Sequence, residues 1–215
     1  DQRAEMETVL SGLDINHRQR IEEVAERIVL LSDGAGQEVI EGFRDDIFDP
    51  KDQEAFAGIR NQYERALWLH INAPTLFDEA MNARQADVFR QSASCYSGFI
   101  APKDLSVLED EPSRQAFHHA VAEELGCEID SVAVQVFKRL RPDTQTGEEV
   151  DLYQISVHHN RPPEIIDCVQ ASELVSQEVV RAVSSHITYE PANGHLEVLS
   201  KDTDGREALA RIVAD

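Results

Sequence analysis

The apolar residues of this chain change their period at Gly126, and that change limits the folds open to it. Before this glycine they recur at three- and four-residue spacing. Ile21, Val24, Ile28 and Leu31 line one side of a helix whose other side carries Glu22, Glu23, Glu26 and Arg27. After it they alternate. Val132, Val134 and Val136 share one face of a strand, and Tyr153, Ile155 and Val157 share one face of the next. Helices followed by antiparallel strands make the α+β class. The pattern predicts a helical region over 1–110. Over 111–215 it predicts a helix, a mainly antiparallel sheet and a closing helix, as a second domain or as one continuous domain with the first.

Local signals divide the helical part. Asp33-Gly34-Ala35-Gly36 interrupts it. Asp49 as N-cap, Pro50 at the first helical position and Asp52 open a helix that carries Phe56, Ile59, Tyr63, Ala66 and Leu67 on one side and stops before Pro74. Thr75 with Asp78 opens another, with Phe77, Ala80, Met81 and Val88 facing inward. Residues 95–108 read as irregular, broken by Gly98 and Pro102. A last helix carries Phe117, Ala120, Val121 and Leu125, and Gly126 takes the left-handed position that ends it.

In the strand region, a polar turn runs from Pro142 to Glu149. Arg161-Pro162-Pro163 closes the second strand, and a short third strand follows at Ile165–Val169. The clearest hairpin spans 182–200. A Pro191-Ala192-Asn193-Gly194 loop sets Tyr189 opposite Leu196 and Ile187 opposite Val198 on an apolar face. Glu190 then faces His195, and Thr188 faces Glu197, on the wet side. A two-residue Asn-Gly loop would instead set Glu190 against Glu197, two like charges directly opposed. Asp204-Gly205 caps the closing helix.

Charge narrows the function. The chain of 215 residues holds 41 acidic and 20 basic residues, a formal net charge of −21. The acids are spread along its length. Phosphate backbones are bound through Lys and Arg, so direct nucleic-acid binding is not expected, despite the local run Lys138-Arg139-Leu140-Arg141. No apolar run is long enough to cross a bilayer and no basic leader with an apolar core follows the start, so no membrane partner is expected. Cys95, Cys127 and Cys168 are too few for a disulfide framework and point to a reducing, cytoplasmic setting. Cys168 reads as a small buried thiol and Cys95 as the thiol of an irregular loop. The chain starts at Asp1 and stops at Asp215 within a helix-like pattern, so both ends read as trimmed.

No catalytic set is complete. His119 and Glu123 stand four apart on a helix, a spacing that can hold a metal, and His118 adjoins them. His158 and His159 point to opposite faces of a strand, so one of them could complete such a site. A surface ion pair and a satisfied strand histidine account for the same residues. No metal and no cofactor is therefore expected. Glu149-Val150-Asp151 lacks the lysine of a nuclease strand. Asp202-Thr203-Asp204-Gly205 lacks the ligands of a calcium loop. The glycines at 34 and 36 lack the rest of a phosphate loop. What remains is a non-enzymatic protein-interaction or regulatory module, with a protein partner or a homodimer. Trp68 and Tyr153 are its aromatic candidates for partner binding. The alternatives are a metal-dependent hydrolase at the His/Glu site and an acidic inhibitor or mimic on a basic partner surface.

Overall fold

The computed structural model describes residues 2–47, 49–108, 110–142, 147–170 and 172–214. The middle of the polar turn expected between Pro142 and Glu149 lies outside these residues. The fold is α+β, with an antiparallel five-stranded sheet, a separate two-stranded sheet and a C-terminal helix. The chain divides into two compact units, Asp1–Arg84 and Gln85–Asp215. Among the described residues no helix is long and apolar enough to cross a membrane.

The first unit holds α1 (Gln2–Gly12), α2 (Ile15–Leu31), α3 (Gly34–Gly42), α4 (Pro50–Gly58), α5 (Gln62–Asn72) and most of α6 (Pro74–Arg90). Short polar side chains start these helices by accepting from free backbone N–H groups. Asp14 accepts from Asn16 and His17, and Asp33 accepts from the Gly36 N–H at 2.6 Å. Leu31, Ile40, Phe43, Phe56, Leu69 and Phe77 form the buried core of this unit.

The single long helix expected from Asp49 to Pro74 is in fact two. Ile59 leaves the helix in an extended conformation, and Asn61 caps a new one by accepting from Tyr63 N–H at 2.9 Å and Glu64 N–H at 3.2 Å. The break turns the helix face, so Tyr63 and Leu67 are exposed while Ala66 and Leu69 are buried. Val88 is likewise exposed on α6. The glycines after Asp33 lie inside α3 and form its first turn.

The second unit follows the end of α6 with β1 (Tyr96–Ile100), α7 (Glu111–Leu125), β2 (Val132–Pro142), β3 (Glu149–Asn160), β4 (Glu164–Gln170), β5 (Glu173–Val179), β6 (Ala182–Glu190), β7 (His195–Ser200) and α8 (Gly205–Ala214). Gly126 ends α7 at φ 62°, as its position demanded. The large sheet has the order β1-β7-β6-β3-β2, every neighbour antiparallel. β1 lies in the stretch expected to be irregular. Alternation over five residues that include a glycine is too weak a signal, and pairing with β7 makes the strand. Among the described residues, β4 and β5 pair only with each other.

One face of the sheet carries Val157, Ile187, Tyr189, Leu196 and Val198, covered by Val121 and Ala122 of α7 and Leu209 and Ala210 of α8. The hairpin register is the expected one, with Tyr189 opposite Leu196 and Glu190 opposite His195.

Its turn depends on Gly194, at φ 76°, where a Cβ would collide with the Ala101 carbonyl oxygen. Ala101 N–H in turn donates to Gly194 O at 2.8 Å. Gly194→Ala meets both the left-handed backbone penalty and this overlap, and lowers stability by about 2 kcal/mol. Urea unfolding of the full chain measures it, with Ala192→Gly at an exposed turn position as a near-neutral comparison.

Candidate functional site

The second face of the sheet departs most from expectation. Thr188 and Glu190 were placed on a wet side, yet Thr188, His186, Ser156 and Gln154 have no solvent exposure and Glu190 is buried. Residues 85–90 of α6 supply groups that the strands alone lack. Arg139 forms a bidentate pair with Asp87, at 2.8 and 3.2 Å, and donates through Nε to Gln154 Oε1 at 3.1 Å. Arg90 joins Asp87 at 2.5 Å to Glu197 at 2.7 Å, and Thr188 Oγ1 donates to the same Glu197 oxygen at 2.7 Å. Arg141 lies between Glu190 at 3.1 Å and Glu197 at 3.4 Å. Three guanidiniums thus meet three carboxylates, each charge facing its opposite.

Burial alone would raise the Asp87 carboxyl, but Arg139 and Arg90 outweigh it and hold it below the usual carboxylate range. Glu197 is lowered in the same way, with burial opposed by Arg90, Thr188 and Arg141. Beside these pairs runs a neutral chain. Gln154 Nε2 donates to Ser156 Oγ at 3.3 Å, Ser156 Oγ meets His186 Nδ1 at 2.9 Å, and His186 Nε2 meets Gln85 Oε1 at 3.0 Å. Burial pushes His186 down to about 3, with nearby His158 and Arg139 adding to the effect. The serine–histidine contact has the atoms of a nucleophile and its base. With both side chains fully buried, no substrate can reach them, and the arrangement serves packing.

The same network accounts for the basic run. Arg139 and Arg141 are turned inward onto carboxylates, and the Lys138 ammonium lies 4.7 Å from the Tyr153 ring centroid. The histidines expected as metal candidates are dispersed. His118 is half-buried with Nε2 on the Val132 carbonyl at 2.8 Å, whereas His119 and Glu123 are exposed. His158 pairs with Ser184 at 2.9 Å, and His159 lies on the opposite face. Among the described residues, no group of three or more His, Cys, Asp or Glu is placed to hold a metal. Trp68 is half-buried against Phe56, centroids 5.3 Å apart, and Tyr153 is half-buried beneath Lys138.

The two thiols exchange places. Cys95 is buried and Cys168 is half-exposed, because Cys168 sits in β4, outside the main sheet. An apolar stretch reads as core in the sequence, but among the described residues no layer covers either face of the ribbon that β4 and β5 form. Ile165, Val169 and Leu174 lie on one side of it, 76%, 72% and 73% exposed. Asp167 lies between them and accepts from Ser176 Oγ at 2.7 Å. Arg161 N–H donates to Arg181 O at 2.9 Å and closes the base of the ribbon. Sequence reasoning found β4 but missed β5 and the exposure of both. Its available signal was the absence of any Lys or Arg from 164–179, beside Glu164, Asp167, Glu173 and Glu178.

Comparison of the chain with protein-family models, with curated proteins and with solved structures finds no match.

The buried network makes stability depend on pH in a definite direction. An unfolded histidine takes up a proton near 6.5, whereas folded His186 stays neutral down to about 3. The unfolded state therefore binds more protons below pH 6.5, and stability falls as pH drops from there toward 3. His158 and His159 are lowered by burial and act in the same direction. Asp87 and Glu197 add a further loss only as pH falls below the ordinary carboxylate range. The urea midpoint of the full chain falls between pH 7.5 and 5.5, and His186→Gln, which takes up no proton, reduces that fall. An unchanged fall in the variant would assign it to other groups. Asp87→Ala leaves Arg139 buried without its partner and costs about 3–5 kcal/mol at neutral pH.

Proposed function

We propose that this chain is a non-enzymatic interaction or regulatory module whose β4–β5 ribbon seats on an apolar, positively charged protein surface. The observation that supports this reading is the ribbon's exposure. An isolated two-stranded ribbon is marginally stable in water. Three large apolar side chains held in solvent on one side of it form the kind of patch that marks a binding surface. Its two outer edges also offer unpaired backbone groups for strand addition.

Charge selects the partner. The ribbon carries four carboxylates and no base between residues 164 and 179, on a chain of net charge −21. A second ribbon laid against it would set like charges together, whereas a basic surface would not. This makes the acidic inhibitor on a basic partner surface and the interaction module one reading. Lys138, Arg139 and Arg141 have internal partners, so duplex DNA is not the partner proposed. A reducing, cytoplasmic setting belongs to the same proposal and suits three free cysteines.

Fluorescence anisotropy with defined peptides tests it. A strand-forming peptide of alternating valine and lysine binds the full chain more tightly than the same peptide with glutamate for lysine, and added salt weakens it. Replacing both Val169 and Leu174 by serine lowers that affinity about tenfold or more while leaving thermal unfolding unchanged. Equal binding by the folded double variant would remove the ribbon as the site. A dimer in light scattering that the variant dissolves would make the occupant a second copy and overturn the basic-partner reading.

A further inference from the structure

A separate feature of the second unit has no role in that reading. Between the helix-covered face of the sheet and α7 lies a cavity of about 750 Å³, within the range of small-molecule sites. Protein interiors pack with few voids larger than a water molecule, so a space of this size is not ordinary core. Val134, Val136, Ile155 and Leu196 form its floor. Phe117 and Ala120 of α7, Ile212 and Val213 of α8, and Leu105 and Leu108 of the β1–α7 loop form its walls. Leu105 and Leu108 are exposed, which carries the apolar lining outward.

Apart from the Ser106 hydroxyl, most polar groups around the cavity are engaged within the protein. Tyr189 Oη donates to Pro102 O at 2.6 Å and accepts from Leu105 N–H at 3.1 Å. Gln115 donates to Glu111 at 2.7 Å, and Ser113 Oγ donates to Asp110 at 2.9 Å. Arg114 has a partner as well. His118 donates from Nε2 to the Val132 carbonyl, so Nδ1 is the ring nitrogen not used in that bond. Among the described lining residues the one cation, Arg114, already has a partner, and Glu111 with the surrounding negative charge opposes an anionic head.

From this geometry we infer that the cavity is a binding site for an uncharged, lipid-like molecule, with an apolar body and at most a hydroxyl to meet His118. Burying such a body removes apolar surface from water, which favours binding, while a carboxylate head would lose hydration without gaining a counter-charge. The site is distinct from the ribbon, and each can fail without the other.

Titration of the full chain with the neutral dye N-phenyl-1-naphthylamine tests this directly. The dye binds saturably at one site per chain. 1-Dodecanol displaces it at least about tenfold more effectively than dodecanoate at pH 8. Ala120→Phe fills the cavity from the helix side and Val136→Phe from the sheet floor. Each folded variant, checked by circular dichroism and thermal melting, loses dye affinity about tenfold or more, whereas serine at Val169 and Leu174 leaves it unchanged. Absence of saturable binding, or unchanged affinity in a folded cavity-filling variant, overturns the site. Equal displacement by dodecanoate overturns the uncharged class of ligand.

Discussion

The pairing of Arg139 with Asp87 is the constraint on which the sheet of the second unit depends. A guanidinium that is almost fully buried requires a carboxylate at hydrogen-bond distance, because its desolvation is otherwise uncompensated. Asp87 comes from a helix and Arg139 from the edge strand β2, so the contact fixes the last turns of α6 over that face of the sheet. Arg90 and Arg141 extend the same logic to Glu197 and Glu190. A bidentate fork is also directional, which apolar packing is not, and it sets the register of helix against strand.

This gives the sheet two buried faces of different chemistry. One is apolar and closed by α7 and α8, through residues such as Val157, Ile187 and Val198. The other is polar, with hydrogen bonds that run from Gln154 through Ser156 and His186 to Gln85. A polar core of this kind tolerates few substitutions, since each removed partner strands another buried group. Its Ser156 and His186 are both out of reach of solvent. The features open to other molecules lie apart from it, in a ribbon outside the sheet and in a space beneath α7.

Arg139 shows how one residue can be read correctly in part. Its charge was legible, and so was its position beside Lys138 and Arg141. The strand register sets Arg139 and Arg141 on the same face as Thr188 and Glu197, which hairpin alternation alone reads as solvated. Only the arrival of Asp87 and Arg90 from α6, some fifty residues earlier in the chain, turned it into an interior. The exposed ribbon is the opposite case. Ile165, Val169 and Leu174 carry the hydropathy of a core, and against that the run of acids without a base over 164–179 is a weak local signal of their exposure.

The amino-acid sequence by itself determined the α+β class, the end of α7 at Gly126 and the hairpin register from Glu190 to His195. Each rests on short-range physics: backbone conformation at a glycine, side-chain period and turn length. The break between α4 and α5 belongs to the same kind, although Asn61 competes there with a continuous apolar pattern. Tertiary structure alone decided that Thr188 and His186 are buried, that Cys95 is inside and Cys168 half outside, and that β1 is a strand. It also decided where the cavity lies. These properties depend on which distant segment is packed against a face, and a side chain's own identity does not specify its neighbour across the fold.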